Sequence, residues 1–237
     1  MNNISFSDGF DTLISAYTRQ GSFGTEATGA DIAFDEYEKS FFLTKAQEEL
    51  VLSLYNGRNS SGRSFEETEE LRRYLSPLVS DSTLEPEGDV GFTGIDSNSA
   101  FFVLPEDLWF ITYEALNYTG GRCAGERSME VIPITQDEYH RVKNNPFRGP
   151  SGMRALRLDL SDNIIEIVSK YNVISYYLRY LRRPAPIILQ DLPDNLNING
   201  CNSISECELH ESLHQRILDR AVLLALQSKG YRNNNES

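Results

Sequence analysis

The apolar positions near the start of the chain recur at helical spacing. In "DGFDTLISAYTR", Phe10, Leu13, Ile14 and Tyr17 fall at i, i+3, i+4 and i+7, one stripe of an amphipathic helix. The stretch "QGSFGTEATGAD" that follows is rich in glycine and threonine and reads as a loop. "LTKAQEELVLSLYNG" sets Thr44 three residues before Gln47, the spacing of a capping box, with Leu50, Val51 and Leu54 as the apolar stripe and Asn56-Gly57 as the stop. "SFEETEELRRYLSPL" repeats the device: Ser64 caps, Glu67 answers, and Pro77 closes the helix.

Past Pro77 the helical periods give way to short apolar runs. "LWFITYEALNY" reads as a strand, "TGGRCAG" as a hairpin loop and "SMEVIPI" as the partner strand. "TQDEYHRVKNN" opens on another capping-box spacing, Thr135 with Glu138, and reads as a short helix halted by Pro146. "MRALRLDL" alternates, with Leu156, Leu158 and Leu160 on one face and Arg157 and Asp159 on the other, and "NIIEIVS" reads as the next strand. In "YYLRYLRRPAPIILQDLP" and the residues before it, Ile174, Tyr176, Leu178 and Tyr180 share one face; Val173, Ser175, Tyr177 and Arg179 share the other. That strand must end near Arg183, because Pro184 and Pro186 have no N–H for a ladder. "SECELHESLHQRILDRAVLLALQS" returns to helix, with Ser205 and Glu208 as its box and Leu209, Leu213, Ile217, Ala221 and Leu224 as its stripe; "KGYRNNNES" is a polar tail. The pattern predicts an α+β protein. A helical body is drawn from both termini, residues 1–79 and 201–237, around a β-rich insertion at 80–200.

Composition narrows the class. The 237 residues are 40% hydrophobic, ordinary for a packed globular chain. No apolar run reaches the ~18 residues that a membrane span needs, so no membrane is expected as a partner. The N-terminus, "MNNISFSDGFDTLIS", lacks the basic and apolar regions of a secretion signal, and three irregularly spaced cysteines argue against a disulfide framework. The net charge of −13 is unevenly spread. Residues 1–100 hold 18 acids and 7 bases, a balance of −11; residues 122–183 hold 11 bases and 7 acids, a balance of +4. Such asymmetry is either a solvated face or a pair of complementary patches, one copy's acidic part meeting another copy's basic part.

Catalytic chemistry finds no foothold. Cys201, Cys207, His210 and His214 are zinc-type ligands within fourteen positions, but the long loop that separates ligand pairs in a finger is missing and Cys207 falls in a predicted helix's first turn. No metal site, catalytic site or cofactor site is expected. There is no G-x-S-x-G, H-E-x-x-H or S-x-x-K, and no phosphate loop; "GGRCAG" lies between strands rather than at a helix start. Acid pairs such as Glu48-Glu49 and Glu66-Glu67 suit helix surfaces, and Trp109 suits a sheet core better than a base-stacking platform. Arginine mixed with tyrosine is the chemistry of strand-binding surfaces, yet the acidic chain lacks the basic footprint of a nucleic-acid binder.

The segments "EELRRYLSPLV", "VIPITQDEYHRVKNNPFRGP", "YYLRYLRRPAPIIL" and "ECELHESLHQRILDRAVLLAL" together resemble the head-to-tail adaptor (ring) proteins of short-tailed bacteriophages, and look most like those of crAss-like phages. The similarity runs over nearly the whole chain. It implies a virion structural protein without enzymatic role or cofactor, made in the host cytoplasm and sited at the head-to-tail junction. Such adaptors form a twelve-fold ring below the portal protein, extend the DNA channel without sequence-specific DNA binding, and offer a platform to the tail or to further ring proteins. Their C-terminal segment docks on the portal; here that role falls to the stretch after Leu226, where Tyr231 and Arg232 are the candidate anchors. A ring needs one face to meet a different face of the next copy. Arg179, Arg182 and Arg183 then meet Glu66, Glu67, Glu69 and Glu70 of a neighbour, or else pair within their own subunit. The rival reading is a phage-encoded nucleic-acid-processing enzyme, in which His140 or His210 and His214 converge with carboxylates. A third is a monomeric binding module.

Overall fold

A computed structural model describes residues 1–19, 33–58, 62, 64–65, 67–88, 90–120, 125–161 and 163–230 of the chain. Among them the elements run α1 (Asn3–Arg19), α2 (Glu36–Tyr55), α3 (Glu69–Leu75), β1 (Val79–Leu84), β2 (Ser99–Val103), β3 (Leu108–Thr119), β4 (Arg127–Pro133), α4 (Gln136–Val142), β5 (Arg154–Asp159), β6 (Ile164–Val168), β7 (Asn172–Arg182) and α5 (His214–Ser228). The protein is mixed α+β, as the pattern predicts. It divides into two compact units: Met1–Leu78 with Pro184–Ser237, and Val79–Arg183.

In the first unit α5 packs on α2 and on α1. Phe6 and Phe10 of α1, Leu43 and Leu54 of α2, and Ile217 and Ala221 of α5 are buried. At Gly9 the helices come so close that a Cβ would sit 2.8 Å from Leu218 Cδ2. Buried Lys39 ties α2 to α1, its Nζ donating to Asp11 Oδ2 at 2.7 Å, to Glu36 Oε1 at 2.8 Å and to Ser7 Oγ at 3.1 Å.

The expected helix starts need correction. The capping box of α2 is Asp35 with Glu38, not Thr44 with Gln47: Glu38 N donates to Asp35 Oδ1 at 2.7 Å and Asp35 N to Glu38 Oε2 at 3.2 Å. Thr44 and Gln47 lie inside the helix and are buried. Likewise α5 begins at His214, so Ser205 and Glu208 precede it and cap nothing. Thr68 rather than Ser64 caps α3; Ser64 N instead donates to Glu67 Oε2 at 2.9 Å. Thr135 stands at the N-cap of α4, but its hydroxyl makes no capping bond.

What the misplaced cap residues do instead is the main structural fact of this unit. From Pro184 to Leu189 the chain runs largely buried outside any named strand, so its backbone groups need partners from elsewhere. Gln47 Nε2 donates to Ala185 O at 2.8 Å, and Ala185 N donates to Glu208 Oε2 at 3.2 Å. Ile187 N donates to Thr44 Oγ1 at 3.0 Å, and Leu189 N to Ser40 Oγ at 3.0 Å. Asn3 Nδ2 donates to Ile188 O at 3.0 Å, Ser205 exchanges two backbone bonds with Ile188 at 3.1 Å, and its hydroxyl donates to Pro186 O. Residues 184–200, read from sequence as the end of the β-rich part, thus group with the helices.

The second unit is a seven-stranded sheet in the order β1-β7-β3-β4-β5-β6-β2. All pairs are antiparallel except β4 with β5, whose parallel pairing requires a crossover; α4 and the residues after it supply that crossover. The sheet curls, since Glu87, just past edge strand β1, bridges Phe101 of edge strand β2. Phe102, Leu116, Met129, Ile167, Tyr176 and Leu178 fill one face, while Tyr139 and Val142 of α4 cover Leu156, Leu158 and Val168 on the other.

Candidate functional site

Arg179 lies in the middle of β7, opposite Asp81 of β1 on one side and Tyr113 of β3 on the other. Its face is the outward one, because Tyr176, Leu178 and Tyr180 point into the core. The guanidinium donates to Tyr177 Oη at 3.2 Å, and Tyr113 meets Tyr177 edge-on with ring centroids 6.1 Å apart. Hydrogen bonding to Tyr177 and the charge of Asp81 hold the guanidinium pKa above its ordinary value. Arg182 closes the strand opposite Leu108, and Arg183 N donates to Asp107 O at 2.9 Å. Asp107 also accepts from Tyr180 Oη at 3.0 Å. This is an exposed arginine–tyrosine surface with Asp81 opposite Arg179 in the same unit.

The acids proposed as partners belong to the other unit. Glu69 and Glu70 occupy the first turn of α3, where carboxylates favour the helix dipole. Glu69 reaches Arg73 at 3.6 Å and Glu70 accepts from Tyr74 Oη at 2.5 Å, while Glu67 holds Ser64 N. Glu66, Tyr231 and Arg232 lie outside the described residues.

The histidines have separate settings. His214 is buried, its Nε2 2.9 Å from Leu209 O and its ring against Phe6, and burial pushes its pKa below the usual value. His210 is exposed, packed on Tyr74 and 2.9 Å from Ser212 Oγ; His140 is exposed on α4. Cys207 Sγ donates to Gln47 Oε1 at 3.2 Å, and burial pushes the thiol up to about 11; Cys201 is exposed. Among the described residues no three His, Cys, Asp or Glu side chains are grouped to hold a metal. Trp109 is half-buried and stacked on Phe110 at 5.1 Å, and the end of the "GGRCAG" turn is described only from Gly125 on.

One ion pair escaped the sequence reading. Arg157 of β5 and Glu114 of β3 form a buried pair, Nη1 to Oε1 at 2.7 Å, with Tyr176 Oη donating to Glu114 Oε2 at 2.7 Å and Arg157 Nε to Asp159 Oδ1 at 3.0 Å. Burial pushes the Glu114 carboxyl above the ordinary range, against the pull of Arg157. β3 and β4 pair only from Ala115 to Tyr118, and beyond that point β4 continues along β5. The pair links β3 to β5 where that ladder stops. The signal in the sequence was Glu114, a lone acid inside "LWFITYEALNY".

The family model described as "Phage tail ring protein 3/4" matches residues 1–237. "Ring protein 3" of Bacteroides phage crAss001 is 50% identical over 233 residues, covering 97% of this chain and 96% of that protein. "Ring protein 4/5" of the same phage is 30% identical over 234 residues, covering 95% of this chain and 92% of that one. The chain therefore belongs to the phage tail ring protein 3/4 family of crAss-like phages.

Proposed function

We propose that the protein is a head-to-tail adaptor: one of about twelve copies in a ring below the portal protein, extending the DNA channel and presenting a platform to the tail or to the next ring. The observation that carries this is the match of the whole chain to the ring family, with half its residues identical to a ring protein 3. In this reading the unit built from Met1–Leu78 and Pro184–Ser237 is the helical body of the ring wall, and the sheet unit carries the basic contact surface. The role is structural, without catalysis, cofactor or membrane. Arg179, Arg182 and Arg183 meet acids such as Glu66, Glu67, Glu69 and Glu70 across copies, and Tyr231 and Arg232 anchor on the portal. DNA passes an acidic wall that repels phosphate and prevents sticking. Light scattering of the full chain with its portal protein tests this. A complex holding many copies is expected, weakened when residues 229–237 are deleted. A chain that stays monomeric with the portal present overturns the adaptor role, and an undiminished affinity after the deletion overturns the anchoring role of the tail.

A further inference from the structure

The crossover between α4 and β5 carries an unusual loop, "KNNPFRGPSGM". Phe147 is 84% exposed and Met153 82%, the two most exposed large apolar side chains among the described residues. A loose loop would fold such groups inward; this one is built to hold them out. Asn145 Oδ1 accepts from Phe147 N at 2.8 Å and from Arg148 N at 3.2 Å. Asn145 O accepts from Gly149 N at 2.7 Å, and Arg154 Nη1 donates to Phe147 O. At Gly149 a Cβ would lie 2.8 Å from the carbonyl oxygens of Val142, Lys143 and Asn145, so no other residue lets the loop close this tightly. Phe147 and Met153 rim an open cavity of about 610 Å³ floored by Met129, with Tyr113, itself 55% exposed, on its wall. Exposed Arg141, Lys143 and Arg148 precede or adjoin Phe147 along the chain and no acid lies between Glu138 and Asp159 in sequence, so the loop itself is basic, while Glu114 and exposed Glu130 of the neighbouring strands line the cavity behind it.

The opposite chemistry stands on the helical unit. Ile4 is 71% exposed and Ile204 57%. They flank one hydrogen bond, Asn3 Nδ2 to Ser205 O at 3.3 Å. Asp191 accepts from Ile204 N at 2.7 Å, and exposed Asp8 lies one turn along α1 from Ile4. This is an apolar patch edged by acids.

We propose that the Phe147–Met153 loop of one copy docks on the Ile4–Ile204 patch of the next, with Arg148 set against Asp191. The proposal rests on the ring reading and names a contact within it. An apolar, basic knob and an apolar, acidic patch on different units of one chain are what a heterologous interface requires. A preformed loop loses little freedom on binding, and aromatic, methionine and arginine side chains are the enriched anchors of such interfaces. The test is self-association of the full chain, alone and with portal, by sedimentation. Phe147→Ser with Met153→Ser should weaken it about tenfold or more at an unchanged melting temperature. Arg148→Glu and Asp191→Lys should each weaken it, and the two together should restore it. Assembly by the double serine variant at wild-type strength overturns the contact and leaves the ring reading standing. Loss in the serine variant without recovery in the charge swap overturns the assigned patch. A wild-type chain that forms no multi-copy species in either condition overturns the ring reading and this contact with it.

Discussion

Arg157 shows how a residue's role depends on which face of a sheet is closed. Alternation in "MRALRLDL" sets Arg157 and Asp159 opposite the leucines, which suggests solvent; the sheet curls instead, and the face bearing Ala155 and Arg157 turns toward the core. Arg157 and Glu114 are each only 11% exposed as side chains, so either charge keeps little water when its partner is lost. Removing one partner of a buried pair costs about 3–5 kcal/mol, because the survivor is left charged and unpaired. Arg157→Met should therefore lower stability by that order in urea unfolding, and adding Glu114→Gln should recover much of it. The loss should depend on pH. The Glu114 carboxyl is already held above its ordinary value by burial, and without Arg157 it rises further. A carboxyl with a raised folded pKa costs stability as pH rises past its unfolded value of about 4.5, because the unfolded chain then loses a proton that the fold retains. Both proteins share the unfolded state, so the variant's deficit should grow only above the already raised Glu114 pKa of the native fold, toward neutrality; a deficit independent of pH would show that Glu114 is not the group left exposed to it.

At the level of elements, β3 to β7 were legible as short apolar runs, with alternation marking β5 and β7, and β1 and β2 were not. An irregular register at Asn117/Tyr118 leaves Ile174 exposed and sets Val173 against the core, the reverse of what the alternation places. The helix starts were not legible either. All four capping-box spacings fell where no box forms, and two of those pairs, Thr44 with Gln47 and Ser205 with Glu208, hold the buried stretch from Ala185 to Ile188. A small polar residue three positions from Glu or Gln satisfies backbone groups wherever they are bare, and sequence spacing cannot tell a helix's own first turn from a distant segment. Thr44→Val keeps the shape but leaves Ile187 N, 3.0 Å from the hydroxyl in the native fold, without that acceptor. A buried donor so stranded costs about 1–3 kcal/mol. Thr12→Val, on an exposed site of α1, changes a hydroxyl bonded only to its own helix at Asp8 O and should cost far less. Thermal melts of the two variants compare them directly, and equal losses would remove the stapling role of Thr44.

For the whole molecule, the informative signal was charge rather than any motif. A balance of −11 over the first hundred residues and +4 over 122–183 fits either a solvated face or complementary surfaces, and any contact depends on which side chains the fold leaves outward. Arg179 is outward and Arg183 is exposed; Arg182 is half-buried at the strand end. Single exposed ion pairs contribute about 0.2–1 kcal/mol, too little to specify an assembly. A ring repeats each pair at every interface, so even that magnitude accumulates, and screening makes it sensitive to salt, since the Debye length is about 8 Å at physiological ionic strength. Reversing Arg182 and Arg183 to Glu should therefore weaken ring assembly most at low salt, with the difference from wild type shrinking as salt rises. Both arginines already take part in interactions within the chain, so the variant's melting temperature must be measured alongside its assembly. DNA binding by the wild type should stay weak at physiological salt, because phosphate neutralisation needs a continuous basic footprint and this chain carries −13. Light scattering across a salt series, beside a DNA titration of the wild type, separates the two readings. Assembly of the variant indistinguishable from wild type at every salt concentration would dismiss the arginine contact. Tight, salt-sensitive DNA binding lost in the same variant would reassign those arginines to nucleic-acid contact.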